Sequence, residues 1–223
     1  MLRVALTGGL GAGKSTAGRM FRALGAHVLS SDEMGRELMQ PGQPVYAAIV
    51  QHFGSGVELP GGGLDRAALA RIAFTEGRAE ELNAIVHPAV IARQAEVVER
   101  IAQQDPAAVV MVESALVFET LHGGAGGWSQ RFDKVVLVTA PEEVKIARFV
   151  ERAAKGAQLT EDQRAALEAE ARSRIAQQIP DERKSALSDY VLTNSGPTTE
   201  LEWQVDQLWP ILQAQARAEP QDL

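Results

Sequence analysis

The sequence predicts an α/β fold in which helices cover both faces of a parallel β-sheet. Short apolar segments of strand length alternate with longer helical patterns, as expected for a parallel sheet. A glycine-rich loop joins the first apolar segment directly to the first helix, as in folds that bind phosphate at that turn. With 223 residues, of which 45% are hydrophobic, the chain can bury a full core.

Five apolar segments are the predicted strands. The first begins at Leu2, the third leads into Glu113, and the last is closed by a turn that starts at Asn194. The five segments span residues 2–6, 27–29, 108–112, 134–138 and 189–192.

The first helix is predicted over residues 14–24, with Gly25 as its stop signal. A long helical region over residues 33–105 forms an insertion between two strands. Its predicted interruptions are the turn signals at residues 41–42, 54–56 and 60–63. Within the insertion, Pro88 suits the first position of a helix.

Three later segments complete the predicted organisation. The glycine-rich stretch 122–128 is expected to be a mobile loop, and residues 155–178 a charged helix entered through a capping box of Thr160 and Gln163. A closing helix is predicted over residues 198–216, and Pro210 is expected to kink or split it. Its predicted buried stripe consists of Leu201, Val205, Leu208 and Leu212.

The glycine-rich loop reads GGLGAGKST over residues 8–16 and fits the phosphate-binding pattern G-x-x-x-x-G-K-[ST] in full. Its backbone N–H groups can form an anion nest, and the following helix adds its positive dipole end. Lys14 is predicted to reach the β and γ phosphates of a bound nucleotide, and the Ser15 hydroxyl to join the shell of Mg²⁺. The loop residues predicted to bind the nucleotide, which the family resemblance below implies is ATP, are Gly9, Leu10, Gly11, Ala12, Gly13, Lys14, Ser15 and Thr16.

Acidic residues follow two of the predicted strands. Asp32 comes just after the second strand, where it can accept the proton of an attacking hydroxyl, bind Mg²⁺ through water, or simply cap a helix that begins near Glu33. Glu113 ends the third strand, where it belongs either to the metal shell or to the solvated surface.

Two arginines and one histidine are further candidates. Arg148 and Arg152 are four residues apart on one helix face and suit a transferring phosphoryl group, although pairing with surface acids is the alternative. His87 is more often buried or capping than functional in such a segment.

Composition excludes several classes of protein. A net charge of −7 gives no electrostatic footprint for nucleic acid or an anionic membrane. The absence of cysteine excludes disulfides and thiolate metal sites, and the histidines lack metal-ligand spacing. No apolar run approaches 18 residues, and the first strand leaves no room for a signal segment, so a cytoplasmic protein is expected. No obligate protein partner is predicted.

In order and spacing, several segments resemble the dephospho-CoA kinase family over most of the chain. They are LTGGLGAGKSTAGRMFRALGAHVL, SSDEMGREL, PGQPVYAAIVQHFG, GGGLDRAAL, LNAIVHP, VVMVESALVFE and RIAQQIPDERKSALSDYVLTNSG. The resemblance implies a P-loop NTPase fold like that of nucleoside monophosphate kinases. It also implies ATP-dependent phosphorylation of the ribose 3′-hydroxyl of dephospho-CoA, the last step of coenzyme A biosynthesis.

The resemblance also implies roles for individual residues. Asp32 becomes the base and Asn194 lies near the adenine of ATP, while Arg148 and Arg152 come from the lid. The residues implied to bind the acceptor are Arg66, His87 and Glu113.

The implied division of the chain has three parts. The nucleotide-binding core consists of residues 1–32, 106–145 and 179–223, the helical substrate domain of residues 33–105, and the lid of residues 146–178.

The chain departs from the family pattern at several places. Ser30 stands where relatives often carry aspartate, and Ala115 where many have proline. The stretches 122–128 and 155–172 look longer than usual. Another small-molecule kinase and a slow nucleotide-dependent switch remain alternatives, although the guanine-reading string Asn-Lys-x-Asp does not occur.

Overall fold

The computed structural model describes residues 1–119 and 127–218, apart from the side chain of Phe74. Within these residues the predicted parallel sheet is confirmed, with five strands in the order β2-β3-β1-β4-β5. The strands are β1 (Leu2–Thr7), β2 (His27–Ser30), β3 (Val109–Glu113), β4 (Lys134–Thr139) and β5 (Tyr190–Thr193).

Helices connect these strands. They are α1 (Lys14–Ala23), α2 (Ser31–Leu38), α3 (Pro44–Phe53), α4 (Arg66–Ala70), α5 (Ala79–Gln104), α6 (Glu142–Ala154), α7 (Glu161–Ala176), α8 (Asp181–Ala186) and α9 (Thr198–Arg217). Shorter turns of helix lie at Ser55–Val57, Arg71–Thr75 and Trp128–Gln130. The predicted interruptions of the helical insertion therefore fall between α2 and α4, as expected.

The strand register brings three strand ends to one edge of the sheet. Leu6 of β1 pairs with Glu113 of β3, and Glu113 pairs in turn with Ser30 of β2. Because ligands of open α/β sheets bind outside the carboxyl ends of the strands, the loop after β1, the end of β3 and the start of α2 can serve one site.

The core has a layer on each face of the sheet, because alternate strand residues point to opposite faces. Leu6 and Met111 pack with Phe21 of α1 and Leu212 of α9 on one face. On the other face lies a smaller cluster that includes Ala5, Val112, Phe132 and Val135. The insertion has its own small core, formed by Val45, Ile49, Val57, Leu69 and Ile72. The sheet core and the core of the insertion are thus packed separately.

Two prolines lie inside helices. The expectation that Pro88 begins a helix is wrong, because Pro88 lies inside α5. Pro210 does not split α9, which runs through it, and a kink at Pro210 stays a prediction. An interior proline costs about 3 kcal/mol or more. In α9 the four predicted stripe residues are all buried, so packing against the sheet outweighs that cost.

Other local expectations are confirmed or lie outside the described residues. Thr160 and Gln163 form the predicted capping box at the start of α7. The predicted mobile loop 122–128 falls on residues 122–126, which lie outside the described part, and on Gly127 and Trp128, which lead into a short 3-10 turn. Among the described residues, no helix is both long enough and apolar enough to cross a membrane.

Candidate active site

The loop between β1 and α1 has a backbone that only glycine accommodates at two critical points. Gly13 adopts φ of 101° at the start of α1, and a Cβ there would lie 2.1 Å from Nδ2 of Asn194. Gly11 has φ of 71°, and a Cβ there would lie 2.3 Å from the carbonyl oxygen of Lys145. The loop is therefore fixed by both dihedral angle and close packing, as a preformed anion nest requires.

Lys14 folds back over this loop. Its Nζ donates hydrogen bonds to the carbonyl oxygens of Gly8 (2.9 Å) and Gly9 (3.1 Å). Burial lowers the pKa of Lys14 to about 8, while the nearby carboxylates of Glu113 and Asp32 act in the opposite direction. The ammonium group thus contacts the phosphate loop and is influenced by the charges of both acidic residues.

Ser15 and Glu113 form the contact expected of a metal-binding edge. The Ser15 hydroxyl donates a hydrogen bond of 2.5 Å to Oε1 of Glu113. A hydroxyl oxygen and a carboxylate oxygen are ligands of the type that Mg²⁺ takes, and this ion usually keeps several waters as well. Glu113 is half-buried and bonded to Ser15, and its place in a metal shell stays a prediction.

Asn194 connects the phosphate loop with α6. It is buried, and its Nδ2 donates a hydrogen bond of 2.8 Å to the carbonyl oxygen of Ala12. The guanidinium of Arg148 donates to the backbone oxygen of Asn194 (2.9 Å) and to its Oδ1 (3.2 Å). Arg148, predicted to face a phosphoryl group, is therefore engaged with Asn194 in this conformation.

Arg152 and Arg174 lie on the two helices of the predicted lid. Arg152 is exposed in the last turn of α6, 5.9 Å from the centre of the Phe149 ring. The guanidinium of Arg174, on α7, lies 5.6 Å from the same ring and 2.6 Å from Glu170. The charge of Arg152 acts to lower the pKa of Lys14.

Asp32 faces a cavity of about 560 Å³ between α2, α5 and the end of β3. The interpretation of Asp32 as a helix cap is wrong, because Ser30 is the N-cap of α2 and its hydroxyl accepts a hydrogen bond of 3.3 Å from the Glu33 N–H. Ser30, at a position where relatives often carry aspartate, therefore has a structural role here. Asp32 is exposed in the first turn of α2, with its carboxylate available to a ligand.

The other candidate acceptor residues divide between this cavity and its surroundings. His87 is half-buried on α5 and lines the same cavity as Asp32. Arg66 is exposed at the first position of α4 and is absent from the described residues that line the cavity. His87 and Asp32 thus line the same cavity, and Arg66 is not among the described residues that line it.

The junction between α7 and α8 contributes residues that the sequence patterns did not single out. Gln178, just after α7, lines the cavity, and its Oε1 accepts a hydrogen bond of 3.0 Å from the Leu10 N–H. Asp181 lies 2.5 Å from Nζ of Lys145 and accepts a hydrogen bond of 2.5 Å from the Thr139 hydroxyl. These contacts attach the end of the predicted lid to the phosphate loop and to the end of β4.

A second buried lysine lies on α8. Lys184 is fully buried, and its Nζ lies 2.8 Å from Oε1 of Glu119. Its charge also acts to lower the pKa of Lys14. Lys145 and Lys184 are thus two buried lysines that are each paired with a half-buried carboxylate.

Comparison with known proteins assigns this arrangement to a family. The family model for dephospho-CoA kinase matches residues 2–200. A curated dephospho-CoA kinase from Mycolicibacterium paratuberculosis is 41% identical over 94% of this chain, which spans only 47% of that relative. One from Streptomyces avermitilis is 39% identical over 94% of this chain and 93% of its own length.

A solved structure gives the same fold. The crystal structure of TT1252 from Thermus thermophilus matches with a TM-score of 0.70 at 27% identity, over 95% of this chain and 97% of the other. The chain spans about half the length of the first curated relatives that it matches, and nearly all of another. On the family model and these identities, the chain belongs to the dephospho-CoA kinase family.

Proposed function

We propose that this chain transfers the γ-phosphoryl group of ATP to the ribose 3′-hydroxyl of dephospho-CoA, giving CoA and ADP. The observation that carries the proposal is the position of the Asp32 cavity beside the phosphate loop, at neighbouring strand ends of one sheet. A phosphate site and an acceptor cavity in that relation are what phosphoryl transfer between two small molecules requires.

On the donor side, the backbone N–H groups of residues 9–16 bind the ATP phosphates and Lys14 binds the β and γ phosphates. Lys14 exchanges its hydrogen bonds to Gly8 and Gly9 for phosphate oxygens. Asn194 supports the loop through Ala12 and lies on the adenine side. Ser15 and Glu113 would hold Mg²⁺, and the ion would neutralise charge on the phosphates when bound.

On the acceptor side, Asp32 orients the 3′-hydroxyl and accepts its proton as the oxygen attacks the γ-phosphorus. The new bond joins the 3′-oxygen to that phosphorus, while the bond from the γ-phosphorus to the β–γ bridging oxygen breaks and leaves ADP. His87 lines the same cavity and contacts the acceptor nucleoside. The carboxylate can serve as the base because it is exposed and lines the cavity in which the hydroxyl would bind.

The arginines stabilise the negative charge on the phosphoryl group during its transfer. Arg152 and Arg174 flank the ring of Phe149 and move with the lid, which we assign to residues 146–178. Arg148 acts through Asn194 in the open state and reaches phosphate on closure. We assign the acceptor to the helical segment 33–105, in which Arg66 lies at the outer part. Residues 1–32, 106–145 and 179–223 form the nucleotide-binding core. A closed lid excludes water, which would otherwise compete with the ribose hydroxyl.

An acceptor panel tests the proposal. ADP release is followed with ATP and Mg²⁺ in the presence of dephospho-CoA, adenosine or other nucleosides. We expect dephospho-CoA to raise ADP release far above the ATP-only rate and above the rate with every nucleoside. Equal release with and without every acceptor would contradict the proposed function.

A further inference from the structure

A second cavity lies next to the Asp32 cavity. This groove has a volume of about 410 Å³ and runs between α5, β3 and the segment around Phe132. It shares five lining residues with the Asp32 cavity, which are Ile91, Gln94, Val112, Arg131 and Phe132. The two cavities therefore adjoin at these residues.

The walls of the groove are mainly apolar. Beyond the shared residues they include Ala95, Val98 and Val110. Of its cations, Arg3 is already engaged by Asp133, with Nη2 to Oδ1 at 2.6 Å and Nε to Oδ2 at 3.1 Å. The groove thus suits a chain of methylene and amide groups better than a further nucleotide or a polyanion.

Arg131 lies at the junction of the two cavities. Its Nε is buried and has no hydrogen-bond partner among the described residues, and its guanidinium lies 5.1 Å from the centre of the Phe132 ring. Burial lowers the pKa of Arg131, yet an arginine so placed remains a cation. A buried guanidinium nitrogen without a partner at a cavity wall fits an anionic ligand, and a planar guanidinium suits phosphate oxygens.

From this geometry we infer that Arg131 binds the 5′-diphosphate of the acceptor and that the apolar groove holds its pantetheine arm. The inference rests on the proposed function. Along the two cavities, the order is Asp32, then Arg131, then the groove. In dephospho-CoA, the order is the ribose 3′-hydroxyl, then the 5′-diphosphate, then the arm. The groove therefore determines specificity for dephospho-CoA over other adenosine derivatives.

Three acceptors and three variants test this assignment. The acceptors are dephospho-CoA, the methyl ester of adenosine 5′-diphosphate, which lacks the arm, and adenosine, which lacks arm and diphosphate. Ala95→Trp fills the groove from an exposed position of α5. Ala92→Trp is the matched control, because Ala92 is exposed on the same helix and does not line the groove. Arg131→Gln removes the cation.

We expect Ala95→Trp to raise the KM for dephospho-CoA at least about tenfold, with the KM for the methyl ester and for adenosine within about twofold of the wild-type values. Arg131→Gln raises the KM for dephospho-CoA and for the methyl ester but not for adenosine. Ala92→Trp changes none of them. An Ala95→Trp enzyme whose KM is unchanged for dephospho-CoA, or is raised equally for all three acceptors, overturns the assignment of the groove. A wild-type chain that phosphorylates none of the three overturns the proposed function itself, so the two failures are distinguishable.

Discussion

Nδ2 of Asn194 lies 2.8 Å from the carbonyl oxygen of Ala12, so a buried amide directly after β5 is hydrogen-bonded to the backbone of the phosphate loop. The same amide accepts a hydrogen bond from Arg148. One side chain therefore links the loop after β1, the end of β5 and α6. We therefore expect substitutions at Asn194 to weaken nucleotide binding and to leave the Asp32 cavity unchanged.

Asn194→Ala should raise the KM for ATP about tenfold and lower the free energy of unfolding by about 1–3 kcal/mol, because it leaves the Ala12 carbonyl without its partner in a buried place and removes one of the two hydrogen bonds of Arg148. Steady-state kinetics and urea unfolding measure the two effects. Gln204→Ala is the control, since it removes exposed hydrogen bonds to the backbone of Thr193 and Glu200. A variant that keeps wild-type KM for ATP would show that the contact with Ala12 is unimportant for the loop.

Gly13→Ala should weaken ATP binding by at least about tenfold, since a φ of 101° alone costs about 1–3 kcal/mol for alanine and the new Cβ would also meet Asn194. Nucleotide titration by calorimetry measures the loss. Gly62→Ala pays a similar dihedral cost, at φ of 83° with no atom within 4 Å, and should leave ATP affinity unchanged. Equal affinity losses in both variants would contradict a local effect on the phosphate loop.

Asp32→Asn should lower kcat for dephospho-CoA by about 100- to 10,000-fold with little change in either KM, because an amide cannot accept the hydroxyl proton. Initial rates at saturating substrates give the value. The matched control is Glu33→Gln, an exposed acid on the next residue of the same helix that does not line the cavity. Ordinary turnover in the Asp32→Asn enzyme would rule out the assignment of the base.

Lys145→Met should lower the free energy of unfolding by about 3–5 kcal/mol, because it leaves the partly buried carboxylate of Asp181 without its cationic partner. The side chains of this pair are only 7% and 20% exposed. By contrast, Arg93→Ala breaks an exposed pair with Glu96 and should cost no more than about 1 kcal/mol. Urea unfolding compares the variants, and similar small losses in both would mean that the Lys145–Asp181 pair does not stabilise the packing of α8 against α6.

Much of the fold was predictable from local patterns. The first strand was expected over residues 2–6 and spans Leu2–Thr7, and the closing helix was expected over 198–216 and spans Thr198–Arg217. The expectation that Pro88 begins a helix was wrong, and Pro210 does not split α9, because local propensity was applied where tertiary burial decides.

The candidate site was predictable only where it is contiguous in sequence. The phosphate loop is one run of residues with a fixed chemical pattern, whereas Gln178 bonds Leu10 across 168 positions and belongs to no short motif. Likewise, the pairing of Arg148 with Asn194 depends on how α6 packs beside β5, so periodicity identified the helix face but not its partner.

The most direct measurement is the structure of the product formed from ATP and dephospho-CoA, determined by mass spectrometry together with phosphorus and proton NMR. The proposed function predicts a product heavier by one phosphoryl group, attached at the ribose 3′-oxygen, in amounts equal to the ADP released. ADP and inorganic phosphate formed with dephospho-CoA left unmodified, or a phosphoryl group at another oxygen, would contradict it.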